Sequence, residues 1–330
     1  MLDDRKTAIL ATVVQEYIST AQPVGSGHVA SSPNVSVSSA TVRNEMSQLE
    51  ADGYLIQPHT SAGRIPTDKG YRYFVDHLTR PGHLDAATTQ QVGDFFSAAH
   101  GRLEEMLHQT SNLLAQLTHN ASVVVGPTPH SSPVRTVQIV GLAPTAATVV
   151  AVLANGSVES AQIELEKDDE VRLAAAGAHL SAQLDSQPLT AVDGVAETGD
   201  AAVDRLCTAA LDALGALPAD DQVYTGGVAA VAEAFDAVDV VRSVLQTLEQ
   251  QFVVVSLVSD IVNRGMSVAI GVEHGVEPLS ACSVVVAPVV VEGEHLGSIG
   301  VLGPTRMNYP QALATVDVVS EQLGLRIEEG

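Results

Sequence analysis

Apolar residues change their spacing part-way along this chain, and the change divides it. Up to about residue 117 they recur every three or four positions, first at Ile9, Leu10, Val13, Val14, Tyr17 and Ile18, then at Val42, Met46 and Leu49. That repeat gives a helix one buried face. It continues through Val92, Phe95, Phe96, Leu103, Met106, Leu107, Leu113, Leu114 and Leu117, which predicts a connecting helix over 81–120, after the break at Pro81-Gly82. From Ala121 the pattern becomes β-branched runs at 122–125, 136–142, 148–153 and 158–165, divided by Pro or by Asn155-Gly156. Asn-Gly between such runs is a strong hairpin signal. Helical spacing returns over 168–184, 200–214, 228–235 and 238–252, strand character over 267–271, 282–291 and 296–301, and a helix over 311–326 follows. Strands on both sides of an Ala- and Asp-rich helical block predict an α/β domain in two pieces, 121–184 and 266–330, interrupted by an insertion at 185–265. A length of 330 residues suits such an α+β multidomain chain, at about 150 residues per domain.

The first 80 residues form a compositional unit of their own. The whole chain carries a formal charge of −23, yet residues 1–80 hold seven Lys and Arg against eight Asp and Glu, which leaves −22 to the remainder. Five of the eleven Tyr and Phe residues also lie there. After the first helix, Pro23 and Gly25 set a turn, and Ser26 can cap a short second helix to Ala30. Ser38 or Ser39 caps a third helix through about Ala51, which Asp52-Gly53 closes because glycine tolerates the left-handed conformation. Tyr54 to Gln57 and Arg64 to Pro66 read as two short strands around a Pro- and Gly-containing loop. Helix, short helix, helix, hairpin is the order of a winged helix-turn-helix over 1–80. In that fold the third helix presents its N-terminal residues to base edges in the major groove. The candidates for DNA contact are therefore Ser38, Ser39, Thr41, Arg43 and Asn44, where small residues permit close approach and Arg and Asn can bond bases in pairs. His59, Thr60, Arg64, Lys69 and Arg72 in and after the hairpin are candidates for backbone contact. The competing reading makes Ser38 and Ser39 mere caps, pairs Arg43 with a neighbouring acid, and leaves Arg64 solvated.

Signals of other functions are weak. Two cysteines, Cys207 and Cys282, exclude a disulfide framework and a four-Cys zinc site. The 11 His are scattered, so no metal or cofactor is expected. Gly297, Gly300 and Gly303 do not match the dinucleotide fingerprint and suit strand ends and tight packing. Cys282 could be imagined as a nucleophile with His295 as base, but it sits in an apolar strand where Cys is usually an inert small hydrophobe. No enzyme is expected. No apolar run approaches the ~20 residues needed to span a bilayer, and the charged start carries no signal-peptide core. A cytoplasmic location is the expectation.

Ser39-Ala-Thr-Val-Arg-Asn-Glu-Met-Ser-Gln-Leu-Glu-Ala-Asp-Gly-Tyr54, with Pro58-His-Thr-Ser-Ala-Gly-Arg-Ile-Pro-Thr-Asp-Lys-Gly-Tyr-Arg-Tyr-Phe74, closely resembles the N-terminal signature of the bacterial heat-inducible transcription repressor family HrcA. A second match lies at Leu279-Ser-Ala-Cys-Ser-Val-Val-Val-Ala-Pro288 and Gly297-Ser-Ile-Gly-Val-Leu-Gly-Pro-Thr-Arg-Met-Asn-Tyr-Pro310. The resemblance implies a GAF-like domain interrupted by a dimerisation insert. It also implies a homodimer that binds the CIRCE inverted repeat in double-stranded DNA upstream of chaperone operons, and whose activity depends on the GroE chaperonin. A metabolite-sensing regulator that uses the GAF-like domain as a ligand pocket is the alternative, and a fold of that type supports it only by analogy.

Overall fold

The computed structural model describes residues 2–329 apart from 60–61, 78–83, 99–102, 127–131, 155–156, 167, 193, 218–221, 236, 266 and 292. Helix α1 (Asp4–Thr20) begins where the Asp3 carboxylate accepts the Lys6 N–H, and it buries Ile9, Leu10, Val13 and Val14. After α2 (Ser26–Ala30), helix α3 (Ser39–Ala51) starts at Ser38, whose hydroxyl accepts the Thr41 N–H. Of the two possible caps, Ser38 is the one used. Val42, Met46 and Leu49 of α3 pack into the same core as α1. Gly53, at φ 79°, turns the chain into β1 (Leu55–Ile56), which pairs antiparallel with β2 (Ile65–Pro66). Val24 exchanges backbone hydrogen bonds of 2.9 Å with Arg64 and so adds a third edge to the hairpin.

One element here was not expected. Helix α4 (Asp68–His77) follows β2 directly, with the Thr67 hydroxyl accepting the Gly70 N–H and with Tyr71 and Phe74 buried. The connecting helix expected over 81–120 is two helices, α5 (Ala86–Ala98) and α6 (Leu103–Thr118). The Pro81-Gly82 break and the Asn155-Gly156 turn lie outside the described residues.

Strand β3 (Ala121–Val125) precedes an antiparallel meander of β4 (Val134–Ala143), β5 (Ala146–Leu153) and β6 (Val158–Glu164), followed by α7 (Leu173–Leu184) and α8 (Ala201–Gly215). Next come β7 (Val223–Gly226), α9 (Val228–Ala234), α10 (Val238–Glu249), α11 (Gln251–Asn263), β8 (Val268–Ile270), β9 (Cys282–Val291), β10 (Glu294–Pro304) and α12 (Tyr309–Glu329). Five of these strands form one antiparallel sheet in the order β7-β3-β10-β9-β8. Helices α6 and α12 cover one face through Leu114, Val316 and Val319 against Val124, Val285 and Ile299. Helices α9 to α11 cover the other through Val244, Leu257 and Ile261 against Val123, Val284 and Leu302. Burial on both faces is why β9 is almost uniformly apolar.

Strand pairing divides the body differently from the expected insertion at 185–265. Strands β4 to β6 form a separate three-stranded sheet and share a core with α7 and α8, including Ile139, Val149, Leu180, Leu206 and Leu214. The self-contained stretch is therefore about 134–217. Strand β7 and helices α9 to α11, inside the expected insert, belong to the five-stranded sheet and its cover. Local patterning marks a strand but does not name its partner, so β3 and β4 were expected in one domain. At the turn before α7, Asp169 is buried, yet the Glu166 N–H and Arg205, whose guanidinium lies 2.6 Å away, hold its carboxyl below the ordinary value despite burial.

The glycines of β10 serve packing: a Cβ on Gly297 would collide with the Val125 carbonyl and one on Gly303 with the Asn120 side chain. Pro304 lies opposite Cys282 and Val290 opposite His295, so the imagined nucleophile and base stand at opposite ends of the β9–β10 pair.

Candidate nucleic-acid interface

Helix α3 is amphipathic, and its outward side carries the candidate residues. Ser38, Ser39, Arg43, Asn44, Ser47 and Gln48 are exposed, and Thr41 is partly so. The Ser38 and Thr41 hydroxyls lie 3.0 Å apart, and Ser39 is 3.3 Å from Ser26, which ties the start of α3 to α2. Ser38 does cap, as the competing reading holds, but capping leaves it on the surface. An exposed helix N-terminus carries partial positive charge and free N–H groups suited to a phosphate.

The acids of α3 are turned away from this face and neutralised. Glu45 is buried and pairs with Arg5 at 3.3 Å. Glu50 receives the Arg64 guanidinium at 2.9 Å. Among the described residues the Arg43 guanidinium has no partner, so it is the charge that α3 presents outward. Asn44 beside it adds a donor and an acceptor in the same position relative to a groove.

Residues from the hairpin onward divide. His59 is exposed at the tip, with its carbonyl accepting the Ala62 N–H. Thr60 lies outside the described residues. Arg64 does not project: it bonds Glu50 and the Ser47 hydroxyl, and its side chain is only 13% exposed. Lys69 is exposed but reaches the Asp52 carbonyl at 2.8 Å and lies 4.4 Å above the Tyr54 ring, so it closes the C-terminal end of α3. Arg72 points to the body, where it bonds Glu273 through two nitrogens and the Val268 carbonyl at 2.9 Å, and it also bonds Asp76 of its own helix at 3.1 Å. The phosphate contacts expected of Arg64 and Arg72 are thus replaced by contacts inside the protein. Glu50 for Arg64 and Glu273 for Arg72 are carboxylates that sequence spacing does not bring together. Sequence reasoning passed over Ser47 and Gln48, which continue the exposed stripe one turn beyond Arg43 and Asn44. Their i+4 spacing was the available signal.

Among the described residues no cluster of His, Cys, Asp and Glu is arranged to hold a metal ion. Burial pushes the Cys282 thiol up to about 12 and the Cys207 thiol, with help from Asp204, up to about 11. Neither is a thiolate at neutral pH. No described helix is long and apolar enough to cross a membrane.

A near-neutral helical head with an uncluttered helix face, carried on an acidic mixed α/β body, is the plan of a transcription regulator. Residues 104–313 match the family of the HrcA protein C terminal domain. The heat-inducible transcription repressor HrcA of Nocardia farcinica (strain IFM 10152) is 38% identical over 98% of this chain and 96% of its own length. That of Acidothermus cellulolyticus is 37% identical over the full length of both. The chain belongs to the HrcA family of heat-inducible transcription repressors. A crystal structure described as a hypothetical protein at 2.2 Å resolution covers 100% of the chain at a TM-score of 0.69 and 22% identity, and so shares the fold.

Proposed function

We propose that this chain represses chaperone operons by binding the CIRCE inverted repeat as a homodimer, with residues 2–77 acting as a winged helix-turn-helix. The observation that carries this reading is α3: its two carboxylates are paired within the protein, while Ser38, Ser39, Arg43 and Asn44 are exposed and Thr41 partly so. In this reading Arg43 and Asn44 read bases, Ser38 and Ser39 approach the backbone at the helix N-terminus, and His59 at the hairpin tip and Lys69 lie nearest the flanking phosphates.

The dimer is supported by the meander. The outer face of β4 to β6 carries the cross-strand rows Val140–Thr148–Gln162, Gln138–Val150–Ser160 and Thr136–Val152–Val158, which hold no charge, and Glu164, opposite Ala146, lies at the end of the same face. Val158 is 51% and Leu142 58% exposed. In a chain of net charge −23, three adjacent uncharged rows rich in Val and Thr suit a self-complementary two-fold contact. Dependence on GroE and a cytoplasmic location follow from the family resemblance. For the metabolite-sensor alternative, the body offers an open groove of about 450 Å³ along β9 and α12, lined by Val290, Ser320, Glu321 and Leu325, and between its sheet and α10–α11 a void of about 10 Å³, lined by Val123, Leu248, Leu257 and similar residues. The void has room for about one water.

Footprinting with the purified full-length chain on a CIRCE duplex tests the reading. Protection of both half-sites with two-fold symmetry is expected; protection no stronger than on random duplex would overturn it.

A further inference from the structure

Helix α4 touches both halves of the molecule within a single turn. On the head side, the Thr67 hydroxyl donates to the Gly53 carbonyl at 2.7 Å, the Thr67 N–H to Tyr54 at 3.1 Å, and Lys69 to the Asp52 carbonyl. These carbonyls lie at the C-terminal end of α3. A Cβ on Gly70 would collide with the Tyr54 carbonyl, so α4 lies directly against the backbone leaving α3. On the body side, Asp68 accepts the Val272 N–H and sits where a Cβ on Gly271 would be. Tyr71 packs at 5.9 Å, centroid to centroid, on Tyr309. Tyr309 is itself fixed by Ser283 at 2.8 Å and by the Thr305 carbonyl. Arg72 then closes on Glu273 and on the Val268 carbonyl, the latter at the edge of the five-stranded sheet. Glu273 is held in turn by the Ile270 N–H at 2.9 Å.

We propose that residues 67–72 bolt α3 to the body, and that the Arg72–Glu273 pair thereby sets the separation of the two α3 helices in a dimer, making both positioning residues for operator spacing. The argument is mechanical. In a dimer joined through its bodies, the two heads face successive half-sites only if each head has a fixed orientation on its own body. A bidentate guanidinium–carboxylate contact fixes angle as well as distance, because both groups are planar. A loosened head would still reach one half-site, but the second binding event would lose its dependence on half-site separation.

This inference rests on the DNA-binding reading, and its test separates the two. Duplexes recovered by the wild-type chain from a random-sequence library are resynthesised as a single half-site and as inverted repeats with the spacer lengthened or shortened by one to three base pairs. Wild type should lose about a hundredfold in affinity when the spacer changes. Arg72→Gln and Glu273→Gln, checked for an unchanged thermal midpoint, should bind all spacers within about fivefold of each other and bind the single half-site as wild type does. Gly271→Ala, which forces a Cβ into the Asp68 carboxylate, should do the same from the body side should either Gln variant fold poorly. Variants that keep the wild-type spacing preference overturn the inference. So do variants that lose half-site affinity, since Arg72 would then belong to the DNA contact or to the folding of the head. If wild type recovers no inverted repeat, the DNA-binding reading itself fails.

Discussion

Arg43 and Arg64 show what a residue's neighbours in sequence can and cannot reveal. Both are arginines near small residues in the head, and both were candidates for DNA. Arg43 was legible because helix periodicity alone places it opposite Val42, Met46 and Leu49. Arg64 was not, because a loop arginine beside Gly63 looks the same whether it faces a phosphate or Glu50. Arg43→Ala should therefore weaken operator binding by about 1–3 kcal/mol and relax preference at one base position, measured by titration against an operator variant set. Arg64→Ala should instead lower head stability, by about 1 kcal/mol for a partly buried, hydrogen-bonded pair, and leave the salt dependence of binding unchanged. Urea unfolding alongside a salt series tells these apart. His274 offers a residue-scale test of the body. It is buried, its Nε2 lies 3.0 Å from the Leu279 carbonyl, and its Nδ1 accepts the Val276 N–H. Those partners require the neutral ring, and burial holds its pKa below the ordinary 6.5. Below pH 6.5 the unfolded chain takes up a proton that the folded chain resists, so stability is full above that value and falls as the pH drops toward the folded pKa. The urea midpoint should decline over this window, and less steeply for His274→Gln.

At the scale of elements, most helices and strands were legible and their partners were not. The cap at Ser38, the turn at Gly53 and the β-branched runs are local chemistry, which a sequence displays directly. Helix α4 was missed because no apolar spacing was followed past Pro66, and Gly70 in its first turn is a weak helix former. The i, i+3 pair Tyr71 and Phe74 after Thr67 was the signal for it. Strand β7 is four residues long and falls in a block dominated by Ala, so nothing local distinguishes it. Placing the separate unit at 134–217 also moves the expected dimer surface from 185–265 to the outer face of β4 to β6. Val150→Glu, in the central row of that face, should leave the monomer's stability within about 0.5 kcal/mol. Sedimentation velocity should show the dimer lost; a dimer of wild-type strength would exclude this surface.

For the whole molecule the decisive quantity is where the charge lies. With −22 outside the first 80 residues, the body repels DNA while the head is nearly neutral, so sequence-independent affinity should be low and orientation narrow. Binding to random duplex at low salt checks this: affinity within tenfold of the operator would contradict it. The five-stranded sheet has a different consequence, which concerns synthesis. Strand β3 pairs with β10 in the register Val125 to Ser298 and Ala121 to Leu302. On a ribosome adding about 5–20 residues per second, β3 emerges roughly ten to thirty seconds before that partner exists. Throughout that interval one edge of a fully buried, Val-rich strand has nothing to pair with, while the head precedes it and can fold earlier. Each new molecule would then pass through a stage with a folded head and an unfinished body.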